Sequence, residues 1–277
     1  MTEISPSDLA PAQSSVRPPQ SPQVRRSPLR NITALILREM TSSYGRTPGG
    51  YIWALAEPLG MIFILSLAFS LVMRTPSLGN SFILFYATGV LAFGYYGKIN
   101  NTTMRSLKFS KSLLAYPVVR WIDAVLARLV LNTLTQLMIA CLVLSGILIF
   151  VDTQAVIDFG PVLTAYIMAG LLGLGIGMIN CVFGSFVPIW TTVWGILNRP
   201  LFLASGVIYI YEDLPSSAQA ILWWNPLIHV TGLARSGFYP MYDATYVSYS
   251  YVLGLGLSLT AFGLVLMARY HKAVLER

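Results

Sequence analysis

Six stretches of this 277-residue chain are each about twenty residues long and almost wholly apolar, and no other feature limits the fold as strongly. A bilayer hydrocarbon core of roughly 30 Å is crossed by about 20 helical residues, because a helix satisfies its own backbone N–H and C=O groups without water. The stretches run from Ile52 to Met73, Leu78 to Gly97, Val125 to Phe150, Val162 to Val187, Ile189 to Tyr211 and Tyr251 to Ala268. Asn198-Arg199-Pro200 interrupts the fifth. Between the fifth and sixth, Leu214 to Trp224 and Pro226 to Phe238 are apolar but too short to span, with Asn225-Pro226 as the turn between them. They predict two short re-entrant helices dipping in from one face, their irregular backbone buried in protein or lining a wet cavity. The expected fold class is an all-α polytopic membrane protein with six transmembrane helices. Charged residues are 10% of the chain, against about 25% in soluble domains, and the mean hydropathy of +0.66 excludes an ordinary soluble core.

The first 28 residues hold six prolines and no apolar run, so they read as a disordered, mildly basic cytosolic tail ahead of a single membrane domain over 29–277. Leu29, Ile32, Leu35, Ile36, Met40 and Tyr44 then recur at helical spacing, with Arg30, Arg38, Glu39, Ser42 and Ser43 elsewhere round the turn. This predicts an amphipathic helix lying along the membrane interface, its arginines placed for anionic lipid. The chain enters the bilayer along Arg46-Thr-Pro-Gly-Gly-Tyr-Ile-Trp-Ala-Leu-Ala-Glu-Pro-Leu59, where Tyr51 and Trp53 suit the headgroup level and Glu57 is an isolated carboxylate one turn further in.

Six spans put both termini on one side, and basic residues identify it. Of 18 Lys and Arg, fifteen fall before the first span, between Lys98 and Arg128, or after the sixth; Arg74 and Arg235 lie in the opposite loops and Arg199 within a span. Both termini are therefore expected in the cytoplasm. The one substantial cytoplasmic loop carries Arg105, Lys108, Lys111 and Arg120 around Leu107, Leu113, Leu114, Tyr116 and Pro117. That pattern predicts a short amphipathic helix ending at Tyr116-Pro117; it serves either as a partner's docking point or merely as a topology signal. Small residues recur every fourth position through the fourth span, at Ala165, Ala169, Gly173, Gly177, Cys181 and Ser185, a ridge for close helix approach within the chain or across a dimer seam.

Catalytic constellations are missing. The sequence has no His-Glu-x-x-His, no paired aspartates for metal-dependent phosphoryl transfer, no Gly-x-Ser-x-Gly and no Walker A loop. Neither a catalytic site, a metal nor a cofactor is expected in this chain, nor a nucleic-acid partner. Trp190, Trp194 and Tyr209 belong to a set of rings near span ends that serve as interfacial anchors or as a stacking surface for sugars. Arg199 either pairs with Glu57 or meets an anionic group on a substrate.

Three runs resemble one family. Tyr44-Gly-Arg-Thr-Pro-Gly-Gly-Tyr-Ile-Trp-Ala-Leu-Ala-Glu-Pro-Leu59, Ser112-Leu-Leu-Ala-Tyr-Pro-Val-Val-Arg-Trp-Ile-Asp-Ala-Val-Leu-Ala-Arg128, and Asn225-Pro-Leu-Ile-His229 with Arg235-Ser-Gly-Phe-Tyr-Pro240 are similar to the capsular-polysaccharide export permeases. These are the ABC-2 type membrane subunits of Gram-negative bacteria, and the resemblance covers roughly Leu29 to Lys272. It implies a homodimer in the inner membrane. It implies also a separate cytosolic ABC ATPase subunit that holds ATP and Mg, and a lipid-linked polysaccharide passed to a periplasmic co-polymerase and an outer-membrane polysaccharide export protein. By position, the helix from Leu29 to Tyr44 would be the gate helix, Arg105 to Tyr116 the coupling helix and Leu214 to Phe238 the periplasmic helices. Glu57 matches the glutamate of the family's Trp-Ala-x-x-Glu-Pro pattern. On this reading Arg38, Arg46 and Arg128 draw an anionic lipid head to the entrance, and aromatic rings let sugars slide. The alternatives are an exporter of O-antigen, teichoic acid or a small drug, a membrane-embedded glycosyl- or phosphotransferase, and a passive scaffold for a synthase.

Overall fold

A computed structural model describes residues 28–44, 50–114, 119–151 and 155–276, and the side chains of these except 28–31, 41–44 and 51. Apart from Pro28, the expected tail lies outside them, as do Arg46 and Tyr116. The helices are α1 (Pro28–Tyr44), α2 (Gly50–Val72), α3 (Phe82–Met104), α4 (Ser106–Phe109), α5 (Lys111–Leu114), α6 (Trp121–Phe150), α7 (Phe159–Phe186), α8 (Trp190–Ala204), α9 (Ser216–Leu222), α10 (Pro226–Ser236) and α11 (Tyr249–Glu276). Among the described residues there is no strand.

Among the described residues five helices, α2, α3, α6, α7 and α11, are long and apolar enough to cross a membrane. The expected fifth span is realised differently. Pro200 sits inside α8 without ending it, and the helix stops after 15 residues at Ala204. Gly206 follows with φ +67, a left-handed conformation that glycine adopts without a Cβ penalty and that cannot continue a helix. At 1.5 Å per residue α8 is about 22 Å long, short of a full crossing.

The core sits where α7 lies between α3 and α11. The ridge of small residues on α7 receives α3: a Cβ on Gly177 would stand 2.7 Å from Thr103 Cβ and 2.8 Å from the Asn100 carbonyl oxygen. On another face, a Cβ on Gly175 would stand 2.7 Å from the backbone nitrogen of Thr260 on α11. Backbones this close gain dispersion contact that lipid cannot supply, which is how small residues hold helices together in apolar surroundings. α2 is the opposite case, burying Ile62 and Ser66 while Phe63, Ile64, Leu67 and Leu71 face outward, as suits a lipid-facing helix.

Local chemistry places the ends. Ser81 caps α3 by accepting the Leu84 N–H at 3.3 Å, and Asp158 caps α7 by accepting the Gly160 N–H at 2.9 Å. Asn225 caps α10 by accepting the Leu227 N–H at 3.1 Å, with Pro226 at the first helical position, and its amide donates to the Ala204 carbonyl at 2.9 Å. One end of the bundle therefore carries α9 and α10, and the other carries α1, α4 and α5.

Candidate functional site: a charged cavity between α2, α3 and α6

Three helices each turn one face of helical period toward a common space, and only the α6 face is polar throughout. On α2 the face is Ala54, Glu57, Pro58 and Met61; on α3 it is Gly94, Gly97, Lys98 and Asn101, continued by Arg105 at its C-terminal cap; on α6 it is Arg128, Asn132 and Gln136, at every fourth position. Each set follows the i, i+3, i+4, i+7 spacing of one helix face. Together they line a cavity of about 680 Å3, with Val90, Phe93 and Thr102 of α3, Glu39 of α1, Phe109 of α4 and Phe202 of α8 completing the wall. Three cations, Lys98, Arg105 and Arg128, face two carboxylates, Glu39 and Glu57, so the lining is net positive.

Two of these charges are fully engaged. Arg128 and Glu39, both buried, form a bidentate pair: the Arg128 Nε donates to Glu39 Oε2 at 3.0 Å, and Nη2 lies 3.0 Å from Oε1. Nη1 donates to the Thr102 carbonyl at 2.8 Å, and the guanidinium lies 4.2 Å from the Phe109 ring centroid. Lys98, Arg105 and Glu57 then remain to meet whatever enters the cavity. A net-positive space walled by apolar helices can hold an anionic head and hydroxyl-rich groups without the cost of placing them in hydrocarbon.

The remaining candidate residues separate into groups. Arg38 projects from the exposed side of α1 and is not part of the cavity wall. Trp190, Trp194 and Arg199 lie on α8, with Tyr209 in the segment that follows. Trp190 donates from Nε1 to Asn180 of α7 at 2.9 Å and stacks on Trp194 at 6.4 Å, which gives it a packing role. Among the described residues Arg199 and Glu57 do not pair: Glu57 lines the cavity and Arg199 is exposed on α8. The arginine that does find a buried carboxylate is Arg128, because α1 folds over the end of α6.

The expected coupling helix is instead two single turns, α4 and α5, with Ser110 between them. Leu107 is fully buried in one apolar cluster with Val125, Met178, Cys181 and Met267, so it anchors the segment and has no free face for a partner. Arg105, Lys108 and Lys111 are exposed, and Leu113 and Leu114 are half-buried. Arg105 also lines the cavity, so Lys108, Lys111, Leu113 and Leu114 are the groups that the segment presents outward.

At the other end, Arg235, assigned to a loop by its sequence position, is buried. It donates from Nη1 to the carbonyls of Gly206 at 2.6 Å and Tyr209 at 2.8 Å, and from Nη2 to that of Val207 at 2.6 Å. Its guanidinium also lies 4.1 Å from the Phe85 ring centroid. His229 is likewise enclosed: Nε2 donates to the Trp223 carbonyl at 2.8 Å, while Nδ1 accepts the Ser248 N–H at 3.4 Å. Burial pulls its pKa below the ordinary 6.5, with the Trp223 carbonyl opposing.

Known proteins share this chain's pattern over most of its length. The ABC-2 type transporter family matches residues 30–239. The polysialic acid transport protein KpsM of Escherichia coli is 29% identical over 244 residues, 88% of this chain and 95% of that protein. The capsule polysaccharide export inner-membrane protein BexB of Haemophilus influenzae is 29% identical over 246 residues, 88% of this chain and 92% of that protein. The capsule polysaccharide export inner-membrane protein CtrC of Neisseria meningitidis serogroup B is 26% identical, with the same two shares.

Proposed function

The chain belongs to the ABC-2 type transporter family, and from that premise we propose that it is the permease subunit of an ATP-driven exporter of lipid-linked capsular polysaccharide across the bacterial inner membrane. Relatives named for capsule polysaccharide export and for polysialic acid transport support the cargo class. The observation that carries the reading is the charged cavity, which gives a polar headgroup and its first sugars a place among helices that otherwise expose apolar side chains.

In this account ATP and Mg are held by a separate cytosolic ABC ATPase that docks on Arg105, Lys108, Lys111, Leu113 and Leu114. Both termini are cytoplasmic, in keeping with fifteen of 18 basic residues on that side. α8 with the segment to Tyr211 makes the sixth, incomplete crossing, and α9 and α10 dip in from the periplasmic face. Two subunits form a homodimer; α8 buries none of its own residues within one subunit, which leaves Arg199, Ile196 and Leu203 for a second copy or for the path. Polymer leaving the permease passes to a periplasmic co-polymerase and an outer-membrane export protein.

Deleting the gene and fractionating polysaccharide into surface and intracellular pools, with complementation as control, tests the proposal. Accumulation of lipid-linked polymer inside, with loss at the surface, is expected. Loss from both pools would place the chain in synthesis and overturn the exporter reading.

A further inference from the structure

Arg128 joins four separate parts of the chain. Its Nε and Nη2 edge is taken by Glu39 of α1 at 3.0 Å, its Nη1 by the Thr102 carbonyl in the last turn of α3 at 2.8 Å, and its flat face by Phe109 of α4 at 4.2 Å. A guanidinium is a rigid plane with fixed donor directions. Held along one edge, at a second nitrogen and on one face, it cannot follow one partner without weakening its hold on another. Leu107, in the same turn as Phe109, is fully buried in the same apolar cluster as Val125, one helical turn before Arg128 on α6. A displacement of α4 therefore acts on the part of α6 that grips α1.

We propose that Arg128 is the positioning residue that makes the placement of α1 depend on the placement of α4, so that a push on the exposed α4–α5 segment loosens α1 from the cavity wall. This rests on the permease reading for where the push comes from, but the linkage is a property of this chain alone. In the arrangement described here, α1 contributes Glu39 to the cavity wall and the ion pair is closed. Withdrawal of Arg128 leaves a buried carboxylate without its bidentate partner, a cost that α1 sheds by swinging outward into water.

Hydrogen exchange on the purified permease in lipid nanodiscs tests this without any transport assay, so it separates the linkage from the cargo. Glu39→Gln and Arg128→Lys are expected to speed exchange of α1 amides about tenfold, with α7 and α11 unchanged. The decisive variant is Phe109→Leu, which keeps an apolar side chain and leaves the ion pair chemically intact. It is expected to speed α1 exchange about threefold, through loss of the ring beneath the guanidinium. Unchanged α1 exchange in Phe109→Leu overturns the linkage, as does unchanged α1 exchange in Glu39→Gln. If Glu39→Gln proves globally unstable, seen as faster exchange in α7 and α11, Phe109→Leu alone decides.

Discussion

Replacing Arg235 with methionine removes the clamp that holds the segment after α8 in place, and the structure sets the magnitude. Two buried carbonyls, those of Gly206 and Val207, and the half-buried one of Tyr209 accept from the guanidinium at 2.6–2.8 Å. Leaving a buried acceptor unpaired costs roughly 1–3 kcal/mol, so the three together are worth several kcal/mol. Against this, the arginine is a buried cation in direct contact with carbonyl dipoles and the Phe85 ring, and removing it recovers part of its desolvation cost. The net expectation is a loss of about 2–4 kcal/mol, lowering the thermal midpoint of the detergent-purified protein by about 5–15 °C. Arg235→Lys is expected to recover less than half of that loss, because one ammonium cannot reproduce the planar fork. Tryptophan fluorescence during heating reads the transition, with Trp223 and Trp224 beside α10 as reporters. A midpoint within 2 °C of wild type in Arg235→Met, a limit set at about 1 kcal/mol or less, would refute the clamp.

Gly177→Val should drive α7 from α3, since the added atoms meet Thr103 and the Asn100 backbone; a loss of about 1–3 kcal/mol and reduced steady-state protein level are expected by immunoblot and thermal melt. Leu107→Ala should cost about 2–5 kcal/mol because its side chain is wholly enclosed, whereas Lys108→Ala should leave the melt unchanged and weaken only ATPase binding in a pull-down titration. His229 gives a pH dependence whose sign follows from its depressed pKa. Above about 6.5 both folded and unfolded chains hold it neutral; below that the unfolded chain binds a proton that the folded chain refuses, since protonated Nδ1 would face the Ser248 N–H. Stability should therefore fall with pH below 6.5, by at most about 1.4 kcal/mol per unit, and the slope should flatten in His229→Gln, as a melt series from pH 7.5 to 5 would show.

The parts of the fold governed by local rules are readable in the chain itself. Asn225-Pro226 marks the cap and first turn of α10, and the ridge of small residues at every fourth position from Ala165 to Ser185 marks a helix that must be approached closely. The partner of that ridge, α3, is not readable, because every long helix here is apolar enough to pack against it. The end of α8 follows Gly206 in preference to Pro200: a proline in a helix loses one hydrogen bond, while a left-handed residue turns the chain away. The cavity was half legible. Arg128, Asn132 and Gln136 at every fourth position form a polar stripe on an otherwise apolar helix, a signal that periodicity alone can find. Glu39 carries no such signal, since its partner is 89 residues away and its own helix reads as interfacial. Arg235 is indistinguishable by sequence position from a loop cation; its burial follows from three carbonyls freed where α8 stops.

Entry of polymer through the charged cavity is tested by a photo-crosslinking side chain in place of Gly94, which lines that cavity and where an added Cβ would meet open space, in cells that make the polysaccharide. Irradiation should yield a permease adduct carrying glycan, detected by a polysaccharide-specific probe, and the adduct should vanish in a strain unable to start polymer synthesis. The same adduct pattern in both strains, or a glycan adduct only from a residue on the outer face of α6 such as Leu134, would contradict it.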